Sequence, residues 1–577
     1  MRLHLPTMGA CAPIACALFV CALTGCNATR GSEGAPASRD PRFDWFAYSG
    51  NDSVYHTFKP AAGDYLNPVL AGFYPDPSIT RAGDYFYLVN STFAYFPGIP
   101  VHRSRDLVNW TQIGNVIDRP TQLNFDSLGI SRGVFAPSIS FHDGTFYVLN
   151  TCVDCGGNFY VTATNPAGPW SDPVWLKEVD GIDPSFFFDE DGKTYILNNG
   201  PPVEKPKYPG HRAIWIQEFD LSAKKLVGPR TVIVNGGVDP STKPIWIEGP
   251  HIFRKDGRYI LTAAEGGTAE GHSQVVLRSD NVRGPYVPFA GNPILTQRQL
   301  AARPFPVTSA GHAQLVETSA GEWWATFLAT RPYTGDFYNI GRETFLLPVT
   351  WKDGWPVILA SSETVPYVHT APKLATDSAP RLPTHGNFSH RDEFTDTSLA
   401  LHWLQIRTPR ERSYDLTSAP GWLTLHARNA DITRRAQPSF VGRRQQHINA
   451  DVSTAMRYQP QGAGDKAGLI AFQNDNYNLF LAVTLKDNAT VVRLERKAGD
   501  ATPGDADVVA SAPLKSASDP IYLRIVARGG LYDFYYGTKS GEWTLLKGDV
   551  DGTILSTKTA QGFVGTLFGM YAFTNGR

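Results

Sequence analysis

Three acids and a histidine stand in similar local settings along the 577-residue chain. Asp76 lies in Tyr74-Pro75-Asp76-Pro77-Ser78, Asp183 in Gly181-Ile182-Asp183-Pro184-Ser185, Glu248 in Ile247-Glu248-Gly249-Pro250-His251, and His312 in Gly311-His312-Ala313. Pro75 and Pro77 fix their own φ, and Pro77 disfavours helix at Asp76, so that carboxylate has little backbone freedom. Taken alone it reads as a turn or cap aspartate. Recurrence of the setting changes that reading. Carboxylates gathered in one pocket can hold a divalent cation, or they can do acid–base chemistry on an uncharged substrate. Crowding suits the second use, because like charges raise the pKa of one group and keep it protonated while another stays ionised. Calcium loops carry denser oxygen ligands. Asp189-Glu190-Asp191-Gly192 is the nearest such run and reads more simply as a hairpin turn. Glycoside hydrolysis is the reaction that needs a separated acid and base, and the separation decides the stereochemistry.

The elements that must position these residues repeat. An apolar residue and a short polar slot precede a strand, a Gly-containing turn and a second apolar strand. The copies begin at Pro75, Phe135, Ile182, Glu248 and, more loosely, Gly311. Their turns hold Gly83-Asp84, Asp143-Gly144, Asp191-Gly192, Asp256-Gly257 and Gly321. Asp-Gly between apolar runs is a strong hairpin signal, so each copy predicts two antiparallel strands. The copies recur every 47 to 65 residues or about that, long enough for a four-stranded sheet. β-Hairpins without helical periodicity select a propeller over a helical solenoid, and five copies predict five blades. Equivalent positions then face one axis. The slot holds Asp76, Ala136, Asp183, Gly249 and His312, with Phe135 and Glu248 one residue earlier. A core would want apolar groups there, since unpaired buried carboxylates are costly. Acids on opposite sides of an axis leave room for a water, which favours inversion of configuration.

The rest of the chain frames this domain. A net charge of −1 and the lack of a basic stripe argue against a nucleic-acid partner. The 13 Trp, 24 Tyr and 32 Phe suit an all-β protein with sugar-facing surfaces. Residues 1–26 read as an export signal: Arg2 and His4, an apolar run to Leu23, then Leu23-Thr24-Gly25-Cys26. That ending resembles the bacterial lipoprotein box, which implies cleavage before Cys26 and lipidation of its thiol. An ordinary secretory signal is the alternative. Residues 27–60 are read as a tether and lead-in, with a polar run from Asn27 to Asp40, and 61–371 as the propeller. A Pro-rich connector follows over 372–388, and then short alternating strands over 389–577 that predict a β-sandwich. Outside the leader only Cys152 and Cys155 remain. They cannot fill a zinc site alone, and read as a local disulfide or two loop thiols.

NPVLAGFYPDPSI, SRGVFAPSI, GIDPSFFFD, IEGPHIF, GHAQLV and GRETFLLPV, in that order from Asn67 to Trp355, together resemble glycoside hydrolase family 43. The resemblance is to its β-xylosidase and α-L-arabinofuranosidase branch. It implies a five-bladed propeller with Asp76 as general base, Glu248 as general acid and Asp183 as the acid that tunes and orients Glu248. Phe93 and Phe135 resemble aromatic walls of the sugar pocket, and His312 and Arg342 residues of its floor; the histidine lies near a metal or water in some relatives. The same branch carries a C-terminal concanavalin-A-like sandwich beside the pocket mouth, as a lid or spacer; a freestanding carbohydrate-binding module is the alternative. The expectation is therefore an inverting, exo-acting β-xylosidase on xylo-oligosaccharides. An α-L-arabinofuranosidase on arabinoxylan fragments comes second, and a non-catalytic glycan-binding propeller is the alternative of another class. No cofactor is required on this reading, no metal ligands are assigned, and a structural calcium on the axis is left open. Export places the protein in the bacterial periplasm or outer membrane, with membrane contact only through the lipid.

Overall fold

The structure is a computed structural model that describes residues 40–378, 380, 382–499, 506–514 and 520–576. The segment read as an export signal, Cys26, and the polar run as far as residue 39 lie outside the described residues. Each predicted hairpin forms the inner pair of a four-stranded antiparallel order. The inner strands are Ser78–Ala82, Ser138–His142, Ile182–Phe188, Glu248–Lys255 and Thr308–Glu317. Their hairpin partners are Tyr85–Val89, Thr145–Val153, Thr194–Gly200, Arg258–Glu265 and Trp323–Thr330, and two further strands extend each sheet outward. Asp143 and Gly144 turn with φ of 45° and 74°, and Asp256 and Gly257 with 51° and 77°, the positive pair that a tight hairpin needs.

The inner strand of each sheet adjoins that of the next, and the fifth adjoins the first, so the sheets run in a closed circuit. Polar side chains stitch the seams. Ser78 bonds Gln314 on one side and accepts the Ile139 N–H at 2.8 Å on the other. The Ser185 hydroxyl donates to the Pro250 carbonyl at 2.6 Å, and the Gln274 amide pairs with the Ala313 backbone. Asn67 closes the circuit by exchanging two hydrogen bonds of 2.9 Å with the Leu346 backbone. Each satisfies backbone or amide groups that burial would otherwise penalise by about 1–3 kcal/mol.

The sandwich contains one strand that the sequence reading assigns elsewhere. Arg42–Gly50, expected within the 27–60 lead-in, is a strand of the sandwich and pairs with Ser389–Asp392, Leu423–Leu425 and Asn449–Arg457. Its sequence, RFDWFAYSG, buries Phe43, Phe46 and Tyr48 in the sandwich core. That run is too apolar for a tether. The short alternating strands expected over 389–577 form two sheets; Ser439–Arg444, Lys466–Asn474, Tyr477–Lys486, Ala489–Ala498, Asp507–Pro513 and Leu567–Phe573 make the second of them.

Buried arginines join sandwich to propeller. Arg331 bonds Glu343 at 2.6 and 2.9 Å and Asp52 at 3.0 Å, while Asp52 accepts the Asn449 N–H at 2.8 Å. Arg407 reaches from the Asp475 carboxylate to the Leu128 carbonyl, and Arg444 to the Phe73 carbonyl. Cys152, near the end of Thr145–Val153, and Cys155, in the turn that follows, form a disulfide.

Candidate active site

The repeat positions, just before or within the inner strands, are aimed by the backbone itself. Asp76, Asp183, Gly249 and His312, four of the five repeat positions, have φ of 50°, 54°, 58° and 49°. Left-handed backbone is costly for non-glycine residues and collects at functional sites. In the third, fourth and fifth sheets the hairpin register shifts at the same place: after Ile182, after Glu248 and either side of Gly311. Such bulges break the in–out alternation and re-aim a side chain. At Gly249 the left-handed φ is joined by a close approach: a Cβ there would meet the His312 ring at 2.8 Å. The bare backbone lets the Gly249 N–H donate to Asp183 at 3.1 Å, fixing Asp183 beside the Glu248 segment.

Asp76, Asp183, Glu248, Phe93, Phe135, His312 and Arg342 all line one cavity of about 470 Å³. Every site residue expected from the sequence, apart from Cys26, is thus brought together. Two larger cavities, each about 640 Å³, lie elsewhere and contain none of the three acids; volume alone does not nominate a site.

The electrostatics separate the acids. Burial pushes the Asp76 carboxyl up, but Arg342, donating at 3.0 Å, with His312 and the Ser91 hydroxyl, outweighs it and holds Asp76 below the usual carboxylate range. Burial raises Asp183 to about 7, aided by the Asp76 charge and opposed by the Gly249 N–H and Arg342. Glu248 is raised well above the ordinary value, first by burial, then by Asp183 and Asp76, against Arg342 and Arg212. These influences favour the ionised form at Asp76 and the protonated form in the Asp183–Glu248 pair, most strongly at Glu248. Burial lowers His312, and takes His251 and His272 to about 3, so these rings near the axis are neutral.

An aromatic wall completes the pocket. Phe93 stacks on Phe563 at 5.8 Å between ring centres, and Phe135 meets both rings edge-on at 5.2 and 5.7 Å. Phe563 belongs to the sandwich; its carbonyl accepts from Arg342 at 3.3 Å and its N–H donates to Ser131. Sequence reasoning missed Phe563, because nothing in the alternation of its own domain points across an interface. It also missed Trp246, which lines the cavity two residues before Glu248 and was findable as an aromatic flanking an acid motif. Among the described residues, the one group of three metal-type donors within 4.8 Å of each other is His390, Asp392 and His402 in the sandwich, not the pocket acids.

A cavity at the centre of a propeller, walled by aromatic rings and holding three buried carboxyls whose surroundings push their pKa values apart, is the arrangement of a glycoside hydrolase. Residues 65–356 match the family described as glycosyl hydrolases family 43, and residues 391–577 the β-xylosidase C-terminal concanavalin-A-like domain. The chain belongs to glycosyl hydrolase family 43. It is 39% identical over 515 residues to a xylosidase/arabinosidase of Butyrivibrio fibrisolvens, covering 89% of this chain and 96% of the relative. It is 36% identical to a non-reducing-end α-L-arabinofuranosidase of Bacteroides ovatus, covering 89% and 92%. Among solved structures it resembles a family 43 hydrolase from a capybara gut metagenome, with a TM-score of 0.85, 40% identity and coverage of 93% and 100%. A xylan β-1,4-xylosidase from Bacillus halodurans gives 0.80 at 33% identity, covering 89% and 97%.

Proposed function

We propose that the protein is an exo-acting, inverting glycosidase that removes a terminal pentose from xylan-derived oligosaccharides, with β-xylosyl linkages as the first substrate class. The observation that carries this is the convergence of Asp76, Asp183 and Glu248 in one aromatic-walled cavity, with Arg342 bound to Asp76 alone among the three. Asp76 takes a proton from water as the water attacks the anomeric carbon. Glu248 gives its proton to the departing glycosidic oxygen, so one proton enters the carboxyl set and one leaves. Asp183 keeps Glu248 protonated between turnovers and, through Gly249, fixes its approach. Arg342 keeps Asp76 ionised. Single displacement fits the placement of Asp76 and Glu248 on non-adjacent members of what we read as a five-bladed ring, leaving space for water. Phe563 supports exo action, because a sandwich residue walls the pocket where a polymer would otherwise run through. The chemistry calls on carboxylates alone and needs no cofactor; a structural calcium on the axis would serve the scaffold.

The relatives named for arabinofuranosidase or dual activity favour α-L-arabinofuranosyl groups on arabinoxylan fragments as the second reading. A panel of aryl β-xyloside, α-L-arabinofuranoside and β-galactoside substrates separates the two: the larger kcat/KM names the sugar, and turnover of none of them overturns the reading. We further propose export with lipidation of Cys26, which places the enzyme at the bacterial periplasm or outer membrane on the polar tether. Mass spectrometry of the membrane fraction tests this; a mature N-terminus away from Cys26 overturns it.

A further inference from the structure

We infer that Trp246, backed by Arg212, is the platform on which the leaving-group sugar rests, and so sets preference for oligosaccharides over simple glycosides. The inference rests on the hydrolase reading above and goes beyond it in assigning the acceptor side of the bond. Trp246 is half-buried and lines the cavity that holds Glu248. It precedes Glu248 by two residues, so its Cα lies within roughly 7 Å of that of Glu248 along the chain. Both side chains line the one cavity, and on this inference the ring takes the half of the substrate whose oxygen Glu248 protonates. The three acids and the Phe93–Phe135–Phe563 wall account for the sugar that is attacked; Trp246 belongs to neither set.

Its placement is built. The backbone at Trp246 is left-handed, with φ of 46°, an unfavourable conformation for a bulky residue. Hydrogen bonds hold it there: the Trp246 N–H donates to the Gly210 carbonyl at 2.9 Å, and the Gly266 and Gly267 N–H groups donate to the Ile245 carbonyl at 2.8 and 3.2 Å. The Arg212 guanidinium stacks over the indole at 4.0 Å, and its charge also acts on Glu248, in the direction that eases proton release. Cation stacking fixes the ring and leaves its apolar surface for the C–H face of a sugar. Ile245, half-exposed, and Thr268 continue the surface along the cavity with an apolar and a hydroxyl group. Strain retained at an aromatic residue beside the acid, with dedicated partners, is what a binding platform requires. The ligand class is a neutral sugar ring, the penultimate residue of the oligosaccharide.

The test compares two substrates that share the attacked sugar: the disaccharide, and the glycosyl fluoride, whose leaving group is a single atom and cannot touch Trp246. In Trp246→Ala the ratio of kcat/KM for disaccharide to that for fluoride falls by roughly 5- to 100-fold, the range for losing an aromatic stacking partner. Trp246→Phe restores most of the ratio. Trp246→Gly, which adopts the left-handed backbone freely, repeats the loss if the alanine variant does not fold. A ratio within about twofold of the parent in both truncations, with both rates lowered together or neither lowered, overturns the inference. Failure of the parent to hydrolyse either substrate would instead strike the hydrolase reading.

Discussion

Replacing Glu248 by Gln removes the proton while keeping the shape of the side chain, and the structure bounds the cost. General acid catalysis contributes about 10²- to 10⁴-fold, depending on how much the leaving group needs the proton and whether another donor can supply it. The other carboxyl raised by burial, Asp183, is held by the Gly249 N–H on the Glu248 segment rather than presented to the departing oxygen. Asp76 is held ionised by Arg342, and the His251, His272 and His312 rings are neutral. For a sugar leaving group the loss in kcat should therefore approach 10⁴-fold, about 5.5 kcal/mol of barrier. A dinitrophenolate leaves without a proton, so on a dinitrophenyl glycoside the same variant should lose no more than about tenfold. Steady-state kcat on the disaccharide and the dinitrophenyl glycoside gives both numbers. Equal losses on the two substrates would refute the assignment of the proton to Glu248.

Other consequences follow from the same contacts. Asp183→Asn removes a negative charge that raises Glu248, so the alkaline limb of the kcat/KM profile should move to lower pH; an unmoved limb would show that Asp183 does not tune the acid. Glu343→Ala leaves the Arg331 guanidinium buried with only Asp52 opposite, and should cost about 3–5 kcal/mol in urea unfolding. A change under 1 kcal/mol, or about that, would deny the clamp its role. Phe563→Ala opens the sugar wall from the sandwich side and should lower kcat/KM by roughly tenfold or more on all glycosides, with far-ultraviolet circular dichroism unchanged.

Much of the site was legible because the repeats carry it. Glycine turns, three of them Asp-Gly, mark the hairpins, and the same slot in successive copies makes Asp76, Asp183 and His312 neighbours. What the sequence did not show was how the slot is aimed. Left-handed backbone at Asp76 and Asp183 and the bulges after Ile182 and Glu248 arise from packing around the axis, and their side chains alone do not announce them. The lead-in was misread for a related reason. Arg42–Gly50 alternates as a strand should, but its partners lie about 340 to 415 residues later, from Ser49 with Ser389 to Arg42 with Arg457, and local pattern cannot see them. Phe563 was hidden in the same way, by an interface between domains. The arginines that bind the interface, Arg331, Arg407 and Arg444, look like ordinary surface charges in the sequence and are buried only because carboxylates and carbonyls meet them there.

The central claim is that water, activated by Asp76, attacks directly while Glu248 protonates the departing oxygen. The most direct measurement is proton NMR of the sugar released in the first minutes of hydrolysis, before the anomers equilibrate. A single displacement predicts that the first anomer has the configuration opposite to that of the substrate. Release with the configuration retained would contradict it and require a covalent glycosyl-enzyme intermediate.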